Sequence, residues 1–91
     1  MNIMYFAWVR ERIGIPQETV ETDAATVNDL IAELIAREDR YAAAFADISA
    51  LRVALDQELS DFDAPLANVR EVAFFPPMTG GDAGPGPVRT I

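Results

Sequence analysis

The sequence predicts an α+β domain, a single sheet with one main helix laid across it. Three observations carry this prediction. The segment Asn2-Ile3-Met4-Tyr5-Phe6-Ala7-Trp8-Val9 is apolar at nearly every position, as in a strand buried on both faces inside a sheet. Val27, Leu30, Ile31, Leu34 and Ile35 recur at helical spacing and form one apolar face. Leu51, Val53 and Leu55 alternate with Arg52, Ala54 and Asp56, which is the period of a half-buried strand.

The elements follow in order. Arg10-Glu11-Arg12 and then Gly14-Ile15-Pro16 break the first run, and the Gly and Pro mark a turn. Gln17 to Thr22 sets polar residues around Val20, so a half-exposed strand is expected there, hairpin-paired with the first. Thr26 is a good N-cap for the helix, with Asp29 three residues on, close to a capping box. Glu33 and Arg37 form an i,i+4 pair off the apolar stripe. Asp39 is positioned to cap a shorter helical piece, Tyr41 to Phe45. Asp56-Gln57 is a turn into a very short strand at Glu58-Leu59. Ser60 to Asn68 reads as loop, and Val69 to Phe75 as the last strand. Pro76-Pro77 ends it, because neither can donate to a ladder.

Composition narrows the function classes. The 91 residues are enough for one small domain. A hydrophobic fraction of 51% favours a packed globule over disorder. The net charge is −8, from seven arginines, no lysine and fifteen Asp and Glu. Phosphate contacts need clustered cations, so nucleic acid is not an expected partner, whereas a basic protein surface is. There is no Cys and no His, which excludes a disulfide framework, thiol catalysis by this chain and the usual zinc sites. No apolar run approaches the roughly 18–20 residues needed to span a membrane. Met1 to Val9 has no basic start and no small-residue cleavage pattern, so it does not read as a secretory signal. The expected location is the cytoplasm.

A conventional active site is hard to assemble from these residues. Ser49 and Ser60 have no His to activate them. Asp56, Glu58, Asp61 and Asp63 read as a solvated acidic patch that suits an arginine- or lysine-rich partner. From Pro76 onward the chain holds four of its five glycines and four of its six prolines. Two consecutive glycines, Gly80-Gly81, give the slimmest backbone available and suit a narrow cleft in another protein.

Several runs together carry a family resemblance. They are Phe6-Ala7 with Val9-Arg10-Glu11, Gln57 and Leu59, and Phe62-Asp63 with Pro65-Leu66. The most specific is Glu71-Val72-Ala73-Phe74-Phe75-Pro76-Pro77 leading into Thr79-Gly80-Gly81. Over nearly all of residues 1–81 the chain resembles the small subunits of molybdopterin synthase, ubiquitin-like sulfur carriers. The resemblance implies a β-grasp fold, a mixed sheet of four to five strands covered by one main helix. It implies a carrier domain over residues 1–81 and a disordered extension over 82–91.

The implied chemistry needs no side chain of the carrier. The terminal glycine carboxylate, here that of Gly81, is adenylated by an ATP- and Mg-dependent partner related to ubiquitin-activating enzymes. Sulfur then displaces AMP to give a thiocarboxylate. The carrier docks with the large synthase subunit, in an assembly of two small and two large subunits, and donates sulfur for the molybdopterin dithiolene. The carrier itself binds no cofactor or metal. By resemblance Gly80 and Gly81 form the working end. Phe6, Leu59, Phe75, Met78 and Thr79 contact the partner, and Asp61, Asp63 and Glu71 steer it.

Family members usually end at the second glycine, whereas this chain continues from Asp82 to Ile91. A carboxyl group held in the Gly81–Asp82 peptide bond cannot be adenylated, so a processing protease is implied. Asn68-Val69-Arg70 also replaces the Gly/Asp-rich turn common before the last strand. Two other readings remain open on the residues alone. One is a non-catalytic β-grasp binding module with a blocked tail. The other is a sulfur carrier of another pathway, such as thiamine or cysteine synthesis.

Overall fold

The computed structural model describes residues 1–77. Expectations for Met78, Thr79, Gly80, Gly81 and the 82–91 extension, including the domain end at 81, lie outside the described residues.

The elements are β1 (Asn2–Tyr5), α1 (Ala7–Ile13), β2 (Gln17–Thr19), α2 (Val27–Arg37), α3 (Asp39–Ala44), a 3₁₀ turn at Ile48–Ala50, β3 (Arg52–Leu55), β4 (Glu58–Ser60) and β5 (Glu71–Phe75). One mixed sheet has the order β2-β1-β5-β3-β4. β1 and β5 run parallel, and all other pairs are antiparallel. This is the expected α+β, β-grasp arrangement, with α2 the longest helix. The last strand in sequence is the middle strand in space, so whatever follows Phe75 leaves from the centre of the sheet.

One sheet face is dry. Ile3 and Tyr5 of β1, Val53 and Leu55 of β3, and Val72 and Phe74 of β5 are buried there. They pack with Val9 and Ile13 of α1, Val27, Leu30, Ile31 and Leu34 of α2, and Tyr41 and Ala44 of α3. Phe74 is fully buried, stacked on Tyr5 at 6.2 Å and edge-on to Phe45 at 4.9 Å between ring centroids. Thr26 caps α2 as expected, its Oγ1 accepting from the Asp29 N–H at 3.2 Å. Ile35, at the margin of the α2 stripe, is exposed. The Glu33–Arg37 pair forms at 4.0 Å.

Four sequence expectations are corrected. The first run is not one strand buried on both faces. β1 stops at Tyr5, only Ile3 and Tyr5 are buried in it, and Ala7 begins a helix. Phe6 is extended and Ala7 takes a positive φ of 54°, so the chain turns off the sheet at that point. Val9 and Ile13, one helical turn apart, then bury against the core, and Gly14 at φ 96° closes the helix with its N–H on the Arg10 carbonyl. Secondly, β1 and β2 pair antiparallel as expected, but a helix rather than a turn joins them. Thirdly, α3 starts at Asp39, and its N-cap is Glu38 with no side-chain bond. The last strand is also shorter than expected, beginning at Glu71 rather than Val69.

A polar network ties the elements on the helical side. The Tyr5 and Tyr41 hydroxyls both donate to Glu18 Oε2, at 2.7 and 2.6 Å. Arg40 donates to the Ile13 carbonyl at 2.9 Å and lies beside the Tyr41 ring. β1, β2 and α3 are thereby joined through one carboxylate. No helix among the described residues is long and apolar enough to cross a membrane.

Two outcomes follow. Phe74→Ala should lower folding stability by about 3–5 kcal/mol, read as a shift in urea midpoint. Burial, reinforced by the Glu18 carboxylate, pushes the Tyr5 phenol far above its ordinary value, and the same causes raise Tyr41. Below about pH 10 both folded and unfolded chains keep these protons, and above it only the unfolded chain releases them. Stability should therefore fall as pH rises past about 10, and Tyr5→Phe should flatten that alkaline limb in urea midpoints taken from about pH 8 to about pH 11.

Candidate functional site

The face of the sheet opposite the helices has no covering layer among the described residues. Strand alternation sends Met4 of β1, Ala54 of β3, Leu59 of β4 and Glu71, Ala73 and Phe75 of β5 to this side. The register aligns them, with Met4 opposite Ala73, Ala73 opposite Ala54 and Ala54 opposite Leu59. Small side chains in the middle and larger ones around them leave an open hollow of about 590 Å³. Met4, Phe6, Ala7, Ala54, Ala73, Phe75 and Pro76 line it, with Gln57 and Glu71 as its polar members.

The structure separates the two phenylalanines at the end of β5. Phe74 faces the core and Phe75 faces the hollow, half-buried. Phe6 lies next to this end of β5, its N–H donating to the Phe74 carbonyl at 3.1 Å. The residue is 42% exposed, so it is not buried as the first apolar run predicts. Leu59 is 71% exposed, the most open large apolar side chain among the described residues. A short edge strand holds it up, because Asp56 and Gln57 take positive φ (50° and 73°) in a two-residue hairpin turn. Phe6, Leu59 and Phe75 thus share one face of the molecule, at the root of the segment that begins with Pro76-Pro77.

The acidic residues divide. Asp56 is structural, its Oδ1 accepting the N–H groups of Arg70 and Glu71 at 3.0 Å each. These bonds fix the approach to β5 just after Asn68, which occupies the left-handed region at φ 65° in place of a glycine. Asp63 accepts from the Asn28 amide at 2.8 Å and pins the β4–β5 loop to the start of α2. Glu58 and Asp61 are exposed, and Glu71 is half-buried at the edge of the hollow. Among the described residues no three carboxylates converge as a metal site would require. Arg52, exposed, sits opposite Phe75 in the β3–β5 register, with one guanidinium N–H on the Leu51 carbonyl at 2.9 Å.

Sequence reasoning missed the floor of the hollow. Met4, Ala54 and Ala73 come from three different strands, and only the register brings them together. A faint signal existed in two alanines at the outward positions of otherwise large-residue strands.

Comparison with known proteins places this geometry. A model described as the ThiS family matches residues 3–81. The molybdopterin synthase sulfur carrier subunit of Escherichia coli (strain K12) is 43% identical over 81 residues, spanning 89% of this chain and 99% of that protein. The protein of the same name from Haemophilus influenzae is 37% identical over 81 residues, with the same shares covered. The solved structure of SAMP1 from Haloferax volcanii matches with a TM-score of 0.70 at 25% identity, over 89% of this chain and 98% of that one. The matched span takes in Gly80 and Gly81 and leaves residues 82–91 outside it. On a family match across most of its length and two relatives aligned over almost their whole length, the chain belongs to the ThiS family.

Proposed function

We propose that this chain is the sulfur-carrier small subunit of a molybdopterin synthase and that its reactive group is the carboxyl of Gly81. One observation supports the reading above others. The central strand ends beside an exposed apolar face, and the sequence from that point runs Pro76-Pro77-Met78-Thr79-Gly80-Gly81. The two relatives at 43% and 37% identity are both named sulfur carrier subunits of molybdopterin synthase.

In this reading the folded body presents and docks, and partners do the chemistry. A protease cuts after Gly81 and frees its carboxylate. An adenylating enzyme using ATP and Mg joins that carboxylate to AMP with loss of pyrophosphate, because a free carboxylate is a poor electrophile. The outer sulfur of a persulfide donor displaces AMP to give an acyl disulfide, and a second thiol of the donor then attacks the donor-side sulfur, forming a disulfide and releasing the thiocarboxylate, a soft anionic nucleophile at neutral pH. The carrier then docks with the large synthase subunit, and its sulfur passes to the pterin precursor of the dithiolene.

The residues of the open face have separate tasks. Phe6, Leu59 and Phe75 supply apolar contact to the large subunit and to the adenylating enzyme, with Met78 and Thr79 leading the glycines inward. Asp61 and Glu71 add attraction for a basic rim on the partner. Asp63, committed to Asn28, contributes charge without moving.

Mass spectrometry of the protein from its native host should find a chain ending at Gly81, with a fraction carrying sulfur in place of one oxygen. A population always intact through Ile91 would sink the proposal and leave a binding module. With a chain ending at Gly81, the activating enzyme, ATP and a sulfur donor should give the thiocarboxylate in vitro, and removing Gly81 should abolish it without changing the circular dichroism spectrum. Phe75→Ala should weaken docking to the large subunit by about 2–4 kcal/mol in titration calorimetry. Leu59→Ala should weaken docking while leaving stability within about 0.5 kcal/mol, since that side chain is exposed.

A further inference from the structure

We infer that Arg52 fixes which way round the open face seats on its partner, by meeting a carboxylate at the rim of the surface that receives Phe75. The inference rests on the proposed carrier function, and the partner it concerns is the large synthase subunit. Alternation in β3 sends Val53 and Leu55 to the core and Arg52 and Ala54 to the open face. The register sets Arg52 opposite Phe75. Facing side chains in such a pair stand about 4.5–5.5 Å apart at Cβ. Of the strand residues sent to this face, only Arg52 and Glu71 carry charge. Glu71 opens β5 and Phe75 closes it, about 13 Å further on. Met4, Ala54 and Ala73 lie in the row between. The face is therefore anionic at one end, apolar in the middle and cationic at the end where β5 stops.

The state of Arg52 points to a carboxylate as what it meets. The residue is exposed, and no carboxylate pairs with it among the described residues, where the ion pairs are Glu33–Arg37 and Glu38–Arg40. One guanidinium N–H is donated to the Leu51 carbonyl at 2.9 Å, which holds the head beside its own strand. The rest of the planar fork has no protein acceptor among the described residues, and its geometry matches a carboxylate met through two parallel bonds. Arginine beside a half-buried aromatic ring is also the residue type that carries binding energy in interfaces.

The sign of the charge makes the contact selective. At −8 the chain as a whole draws in a basic surface, and such a surface repels a lone cation unless an acid is placed opposite it. A carrier turned end for end would set Glu71 against that acid and Arg52 against the basic rim. Two like-charge contacts then reject the wrong seating.

Titration calorimetry of the large synthase subunit with a chain ending at Gly81 tests this. That chain keeps every described strand and helix. The Arg52 side chain is exposed, so its variants keep the fold. Arg52→Leu should weaken binding about tenfold, with Arg52→Lys between it and the unaltered chain. Arg52→Glu should weaken binding about a hundredfold. The direction is the discriminating readout, because Arg52→Leu makes the chain more acidic and net charge alone would tighten its binding to a basic partner. Arg37→Glu makes the same change of charge as Arg52→Glu on the helical side and should not weaken binding. On the large subunit, one exposed Asp or Glu changed to Arg should restore the affinity lost by Arg52→Glu. Unchanged or tighter binding by Arg52→Leu overturns the inference. So does an Arg52→Lys variant no better than Arg52→Leu, and so does the failure of every such change on the partner to restore Arg52→Glu. In those cases the unaltered chain still binds and the carrier function stands. An unaltered chain that does not bind the large subunit overturns both together.

Discussion

The register of β5 is the constraint on which everything else depends. β5 lies between β1 and β3 and is paired with both. Its alternation puts Val72 and Phe74 into the core and Glu71, Ala73 and Phe75 on the open face. A slip of one residue would bury Phe75 and a carboxylate and would expose Phe74. The burial of Phe74 between Tyr5 and Phe45 opposes that slip, and so do the two N–H groups that Asp56 holds at the start of the strand. The same interactions that stabilise the fold therefore decide which aromatic side chain of β5 lies on the open face.

The open face is a surface feature with no interior counterpart. Ala54 and Ala73 keep its centre shallow, while Phe6 and Leu59 stand exposed to either side. Such a face gains nothing for the isolated chain, since its apolar area stays in contact with water. Covering that area is what would make it favourable.

Much of this was legible before any coordinates. Leu51, Val53 and Leu55 announced β3 by strict alternation, and Thr26 with Val27, Leu30, Ile31 and Leu34 announced α2, because both patterns are local and periodic. Asp56-Gln57 announced the hairpin turn. Gly80-Gly81 and the Phe74-to-Pro77 run carried the family resemblance that the comparisons show. α1 was hidden because an unbroken apolar run fits a buried strand and a buried helix equally well, and the break at Phe6-Ala7 has no proline or glycine to mark it. The bonds from Tyr5 and Tyr41 to Glu18 span 13 and 23 residues, so no local pattern encodes them. The hollow was invisible for the same reason, being assembled across strands.

The parallel pairing of β1 with β5 has a mechanical consequence. β1 starts at Asn2 and β5 ends at Phe75, and the two lie side by side pointing the same way. Tension applied between the front of the chain and whatever follows Pro77 acts along these strands in opposite senses. Their hydrogen bonds are then strained together, in shear, rather than peeled apart one after another. A pull on whatever follows Pro77, with the front of the chain held, meets the combined resistance of the whole ladder.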